Sequence, residues 1–160
     1  CLQNRKKIVI CRPIVQAGES LGYLPGDFQE KVDPYMRPIY DSIDKLVGAG
    51  EQMLKVEGNT EVAPIAFLRG RTLDNSICIL DEAQNATTKQ LVLFLSRLGK
   101  NSKMIITGDP AQSDIGKESG FTKVVDALDA LPGIGIMKFS KEDIVRHPLV
   151  NSMLEKLKGI

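Results

Sequence analysis

The sequence predicts an α/β domain built on a parallel sheet, and three observations carry that reading. Short strand-forming runs, Lys7-Ile8-Val9-Ile10-Cys11, Ser76-Ile77-Cys78-Ile79-Leu80 and Lys103-Met104-Ile105-Ile106-Thr107, are separated by helical or loop-rich stretches. The second and third are near-continuously apolar, as strands are when helices cover both faces of a parallel sheet. The segment between those two runs has the pattern of an amphipathic crossover helix, so strand, helix and strand make one βαβ unit of about thirty residues.

Arg12-Pro13 stops the first run. Between Arg12 and Thr72 lies a connection with five of the eight prolines, too long for a bare loop. Residues 13–72 are therefore expected to be an insertion with structure of its own inside a single domain spanning 1–160. Pro25-Gly26-Asp27 and Asp33-Pro34 divide it, and Ile39, Ile43, Leu46 and Val47 predict a helix over 35–48. In the crossover, Thr87-x-x-Gln90 has capping-box form, and Leu91, Phe94, Leu95 and Leu98 follow as one apolar stripe. Gly99 is expected to close that helix. Ile134-Gly135-Ile136-Met137-Lys138-Phe139 is expected to be a fourth strand, despite its glycine.

Composition excludes more than it assigns. The 160 residues are 42% hydrophobic and 26% charged with a net charge of +1, which gives no general case for nucleic-acid or membrane binding. Arg5-Lys6-Lys7 is a local basic tract that reads as a solvated strand entry. No apolar run is long enough to span a membrane and no signal sequence opens the chain, so no membrane partner is expected. Cys1, Cys11 and Cys78 have no CxxC spacing and read as buried thiols of a reducing, cytoplasmic compartment. The lone histidine, His147, has no second ligand nearby and reads as a structural or surface residue.

The chemistry is concentrated at two strand ends. Residues 77–84 read ICILDEAQ, so Asp81 and Glu82 stand at the carboxyl end of a strand, where parallel α/β sheets bind ligands. An aspartate there suits Mg²⁺, which prefers few carboxylates plus phosphate oxygens. A glutamate one residue on can orient or deprotonate the water that attacks a γ-phosphate. This is the form of a Walker B motif, and the plainer reading is a surface strand end with two solvated acids. The next run ends in Thr107-Gly108-Asp109-Pro110-Ala111-Gln112, which would bring Asp109 and Gln112 close to Asp81 and Glu82 if the strands are neighbours. A Gly-Asp-Pro turn explains Gly108 and Pro110, but not two neighbouring strands ending alike.

With these motifs in order, the sequence resembles the PhoH-like P-loop ATPases, the phosphate-starvation-inducible family. Residues 12–19 are similar to the family's RPAVEAGE, 21–27 to LGFLPGD, 30–38 to EKVDPYLRP and 143–150 to DVVRHPLV. Glu61-Val62-Ala63-Pro64, Arg69-Gly70-Arg71-Thr72-Leu73, ILDEAQN at 79–85 and TGDPAQ at 107–112 complete the likeness. The resemblance implies a three-layer P-loop NTPase core of the ASCE type, related to superfamily 1 helicases. It implies Asp81 as the Mg²⁺ ligand, Glu82 as the catalytic glutamate and Gln112 on the γ-phosphate. Asp81, Asp109 and Gln84 fall on the cofactor-binding side. Arg146 is a candidate arginine finger or, equally, a salt bridge near the C-terminal helix. Arg69 and Arg71 are candidate phosphate or RNA contacts.

The pattern departs from the family at its start. The family's GxxxxGK(S/T) loop precedes the RPAVEAGE segment, and this chain opens at Cys1-Leu2-Gln3-Asn4. Gly116-Lys117-Glu118-Ser119 is no substitute, having Glu where Ser or Thr is needed and Ala111 where the first glycine would fall. The expectation is that these residues belong to a longer protein whose first strand and P-loop lie upstream of them; that strand would lie between the third and fourth runs. The implied activity is Mg²⁺-dependent ATP hydrolysis coupled to RNA remodelling or metabolism, in a homo-oligomeric ring such as a hexamer, with no sequence-specific DNA binding. The alternative is a non-catalytic scaffold or regulatory module, carried for instance by a phage.

Overall fold

The computed structural model describes residues 6–14, 28–47, 59–143, 145 and 147–157. Its sheet comprises β1 (Lys7–Arg12), β2 (Thr60–Pro64), β3 (Ser76–Leu80) and β4 (Lys103–Ile106), all parallel and ordered β2-β1-β3-β4. The helices are α1 (Phe28–Val47), α2 (Thr88–Leu95), α3 (Phe121–Leu128) and α4 (Pro148–Leu157). Among the described residues no helix is long and apolar enough to cross a membrane.

Side-chain alternation divides the sheet into two faces. Val9, Cys11, Cys78 and Leu80 are fully buried on one face, beneath Leu91 and Phe94 of α2 and beside Ile65 and Leu68. Ile10 and Val62 lie on the other, against Met36 and Ile39 of α1. This is the expected three-layer arrangement. The α1 side is thinner than near-continuous apolar strands suggest, and Ile105 remains 40% exposed. The packing explains why: α1 lies over Ile10 of β1 and Val62 of β2, at the opposite side of the sheet from β4.

Several expected elements form otherwise than expected. The helix expected over 35–48 begins at Phe28 and carries Pro34 and Pro38 inside it. Each proline removes one ladder bond, but Met36 and Ile39 bury on this helix, and tertiary packing outweighs the propensity cost. β2 falls inside the 13–72 insertion and reads as a strand only in context. Its TEVAP sequence is polar at the start, and Pro64 is tolerated because β2 is an edge strand. Residues 134–139 form no strand in the structure and all are exposed. They pair with no described strand, and a segment without a ladder partner gains nothing from being extended.

The crossover helix forms as its cap predicts. The Gln90 amide donates to Thr87 Oγ1 at 3.3 Å, and the Thr87 amide donates to Gln90 Oε1 at 2.8 Å. Thr87→Ala is expected to lower unfolding free energy by about 1 kcal/mol in a urea titration, with an unchanged slope. Gly99 does not close the helix, which ends at Leu95 with Ser96 as its cap. Gly99 instead packs onto the turn before β3, where a Cβ would lie 2.2 Å from Asp74 Oδ1 and 2.6 Å from the Leu73 carbonyl.

The chain divides into two compact units, Cys1–Ala127 and Leu128–Ile160. The second holds α4, before which His147 Nδ1 accepts the Leu149 amide at 3.2 Å. His147 is thus an exposed structural residue, as expected.

Candidate active site

The site is assembled by register. Cys11 of β1 stands level with Leu80 of β3, and Leu80 level with Ile106 of β4. The next residues along, Arg12, Asp81 and Thr107, therefore end three neighbouring strands on the α1 side of the sheet. The ladder continues past the strands: the Asp81 amide donates to the Cys11 carbonyl and the Thr107 amide to the Leu80 carbonyl, both at 2.9 Å. Thr107 Oγ1 then donates to Asp81 Oδ1 at 3.0 Å. From the other side, Arg12 Nη2 lies 3.5 Å from Asp81 Oδ2 and donates to Glu82 Oε1 at 2.8 Å.

Glu82 turns the chain out of the strand. Its backbone is left-handed, with φ 55° and ψ 40°, a conformation that costs a non-glycine residue about 1–2 kcal/mol. Such strain persists only where the surroundings fix it, and it is concentrated at functional sites. Here the surroundings are Arg12 on one carboxylate oxygen and the Gln84 side-chain amide, donating to the other. Gln84 is 1% exposed, and its Oε1 accepts the Asp109 amide at 3.0 Å, bridging the ends of β3 and β4. Gly108 makes that bridge possible, since a Cβ there would come within 2.9 Å of Gln84 Oε1.

Asp109 organises the second strand end. Its Oδ1 accepts the Ala111 amide at 3.0 Å and its Oδ2 accepts Gln112 Nε2 at 2.5 Å, shaping the 3-10 turn Pro110–Gln112. Ser113 Oγ donates to the Gln84 carbonyl at 3.0 Å, tying that turn back to the Glu82 loop. Between these loops and α1 is a cleft of about 710 Å³, lined by Arg12, Tyr35 and Pro38 on one side and Glu82, Gln112 and Ser113 on the other.

The structure thus gathers Asp81, Glu82, Gln84, Asp109 and Gln112, which the sequence singled out. Arg146 lies outside the described residues. Arg69 is exposed in a turn before β3. Arg71 is committed elsewhere: its guanidinium donates to both Glu61 oxygens, at 2.5 and 2.8 Å, with Lys7 Nζ on the same carboxylate at 2.7 Å. Sequence reasoning missed Arg12, Thr107 and Tyr35 as parts of this site. The signal was available in the strand ends, because once KIVICR and SICILD are laid in parallel register the arginine and the aspartate coincide.

The Glu61 cluster is a stability element. Hydrogen bonding to Arg71, with Lys7 adding to it, holds the Glu61 carboxyl at about 2 against an ordinary 4.5. A depressed carboxyl contributes stability above pH 4.5 that is lost as pH falls towards 2. Glu61→Gln is expected to cost about 1 kcal/mol at pH 7 and to flatten the acid limb of a melting-temperature profile across that window. Nearby, burial and the neighbouring Cys78 push the Cys11 thiol up to about 12, and burial raises Cys78 as well. Both are buried free thiols, as expected; Cys1 lies outside the described residues.

The donor set fits Mg²⁺. Asp81, whose Oδ1 accepts the Thr107 hydroxyl, would offer Mg²⁺ a hard carboxylate oxygen at the strand end. Mg²⁺ sites of one or two carboxylates completed by water and phosphate oxygens have this composition.

A parallel three-layer sheet with these strand ends defines an α/β domain of the P-loop NTPase-like class. The PhoH-like protein family model matches residues 2–158, so the chain belongs to the PhoH-like family. It is 51% identical over 153 residues to a PhoH-like protein of Bacillus subtilis, covering 94% of this chain and 48% of that protein. It is 45% identical over 152 residues to a PhoH-like protein of Synechocystis, covering 93% and 46%. Against protein PhoH of Escherichia coli K12 it is 44% identical over 153 residues, covering 92% and 43%. The chain spans a little under half the length of these curated relatives.

Proposed function

We propose that this chain is the Mg²⁺- and water-handling part of an ATPase whose hydrolysis is coupled to work on RNA. The observation that carries the ATPase reading is the joining of two strand ends, Asp81-Glu82 after β3 and Asp109 to Gln112 after β4, through Thr107 and Gln84. In this reading Asp81, held by Thr107, takes Mg²⁺, and Glu82 accepts a proton from the attacking water. Gln112 reports the γ-phosphate, and Asp109 fixes where Gln112 points. When bound, Mg²⁺·ATP supplies the electrophilic phosphorus and the charge that the metal neutralises. Gln84 holds the Glu82 loop to the Asp109 loop, so it acts on the cofactor through its neighbours.

The test is Mg²⁺-dependent ATP hydrolysis, with and without single-stranded RNA. It uses this chain as it stands and a form extended upstream through a GxxxxGK(S/T) loop. That loop supplies amide donors, a lysine and a hydroxyl for the phosphates and metal. Turnover in the extended form, lost with Glu82→Gln, is the expected result. An extended form that neither hydrolyses nor binds nucleotide would favour the scaffold reading. Turnover unchanged by RNA would remove the RNA part alone.

A further inference from the structure

The proposed chemistry leaves Arg12 unused, although among the described residues it makes the shortest ion pair in the site. Its guanidinium donates to Glu82 Oε1 at 2.8 Å and to the Tyr35 carbonyl at 3.4 Å, and lies 3.5 Å from Asp81 Oδ2. Its side chain is only 18% exposed. The second Glu82 oxygen takes the Gln84 amide. Both oxygens of the base therefore already accept a donor, and a fixed cation stands beside the carboxylate that would hold Mg²⁺.

Two consequences follow from elementary electrostatics. A general base must present a carboxylate oxygen to water; each Glu82 oxygen keeps a second lone pair, but the guanidinium on Oε1 fixes where that carboxylate points. A metal ion on Asp81 would repel the guanidinium, 3.5 Å from Asp81 Oδ2, and would favour an Arg12 position farther from Asp81 and, on the same side chain, from Glu82. Arg12 lines the cleft beside Tyr35 and Pro38, and its other guanidinium nitrogen already donates to the Tyr35 carbonyl.

We propose that Arg12 is a positioning residue that acts as a latch: its ion pair with Glu82 withholds the base until a cation on Asp81 displaces the guanidinium. This rests on the ATPase reading above and adds a restraint to it. The left-handed turn falls at Glu82, the residue whose carboxylate Arg12 holds.

The experiment compares wild type, Arg12→Gln and Arg12→Lys, each with and without Glu82→Gln, in the upstream-extended protein. Four quantities are read: melting temperature, Mg²⁺ affinity with a non-hydrolysable ATP analogue, and steady-state kcat and KM for ATP. The latch predicts that Arg12→Gln raises kcat/KM at subsaturating Mg²⁺ about two- to fivefold, the ratio a partly exposed ion pair is worth, because displacing the guanidinium draws on the binding energy of Mg²⁺·ATP. Mg²⁺ affinity should rise by a similar factor, and Arg12→Lys should fall between. It also predicts that Arg12→Gln lowers the melting temperature more when Glu82 is intact than when it is Gln. A fall in kcat or in analogue affinity in Arg12→Gln would overturn the latch and make Arg12 a phosphate-binding or aligning group. Equal melting losses in both backgrounds would overturn it independently of activity. No turnover in the intact protein, with Mg²⁺·analogue binding unaffected by Arg12, would sink both the latch and the ATPase reading. No turnover with tighter Mg²⁺ binding in Arg12→Gln would overturn the ATPase reading and the latch on its base, and leave only the repulsion between Arg12 and a cation at Asp81.

Discussion

Glu82→Gln is expected to lower the turnover of the upstream-extended protein about 10²- to 10⁴-fold, the range a positioned general base contributes, while nucleotide binding persists. The geometry makes this substitution informative because it separates two jobs of one side chain. The amide keeps an oxygen that can accept from Arg12, so the contact at 2.8 Å has a replacement. The other end meets the Gln84 amide donor, whose own oxygen is committed to the Asp109 amide. Two donors then face one another, and a stability cost of about 1 kcal/mol follows. A large kinetic loss beside so small a loss of stability identifies chemistry as the function of Glu82. Asp81→Asn gives the contrasting signature, a raised Mg²⁺ requirement, since it removes charge from the metal side and leaves the water side intact. If Glu82→Gln turned over at more than a tenth of the wild-type rate, Glu82 would not be the base.

How much of this was legible in advance differs by kind of interaction. β1 and β3 were readable because their inward residues, such as Val9, Cys78 and Leu80, are apolar in sequence and buried in fact, and β4 because Met104 and Ile106 pack half-buried against the same cluster. α2 was readable because a capping box and the buried pair Leu91 and Phe94 are local signals. β2 was not, because an edge strand of sequence TEVAP owes its form to its pairing with β1. The start of α1 was hidden by Pro34 and Pro38, whose local cost is outweighed by contacts with residues distant in sequence. Residues 134–139 erred in the opposite direction: apolar content suggested a strand, but strand formation needs a partner that composition cannot supply. The same division runs through the site. Asp81 and Glu82 announced themselves at the end of an apolar run. The buried amide bridge of Gln84 and the ion pair of Arg12 depend on which strands are adjacent and in what register, over 70 residues of separation in the latter case. Arg71 shows the converse, a basic residue that invited a ligand role until Glu61 was found on it.

The largest stability effect is expected at Phe94, which is far from any of these carboxylates in role. Its ring is fully buried in the cluster of Val9, Cys11, Cys78, Leu80, Leu91, Ile65 and Leu68, the layer that holds α2 against the sheet. Phe94→Ala leaves a cavity that this layer can only partly close, at a cost of about 3–5 kcal/mol. For a protein of this size each kcal/mol moves the melting temperature by about 2–4 °C, so a drop of about 10 °C or more is expected by calorimetry. Val92 provides the control within the same helix: it is 56% exposed, and Val92→Ala should change stability by less than about 0.5 kcal/mol. Equal losses at 92 and 94 would mean that α2 is not docked as described. The kinetic consequence also discriminates. Asp81, Glu82 and Thr87 lie on the connection between β3 and α2, so the packing of α2 fixes the far end of the loop that carries the proposed base. Phe94→Ala should therefore lower activity through the folded fraction, recovering at lower temperature where that fraction is restored. Glu82→Gln, a loss of chemistry in a folded protein, should not recover at any temperature.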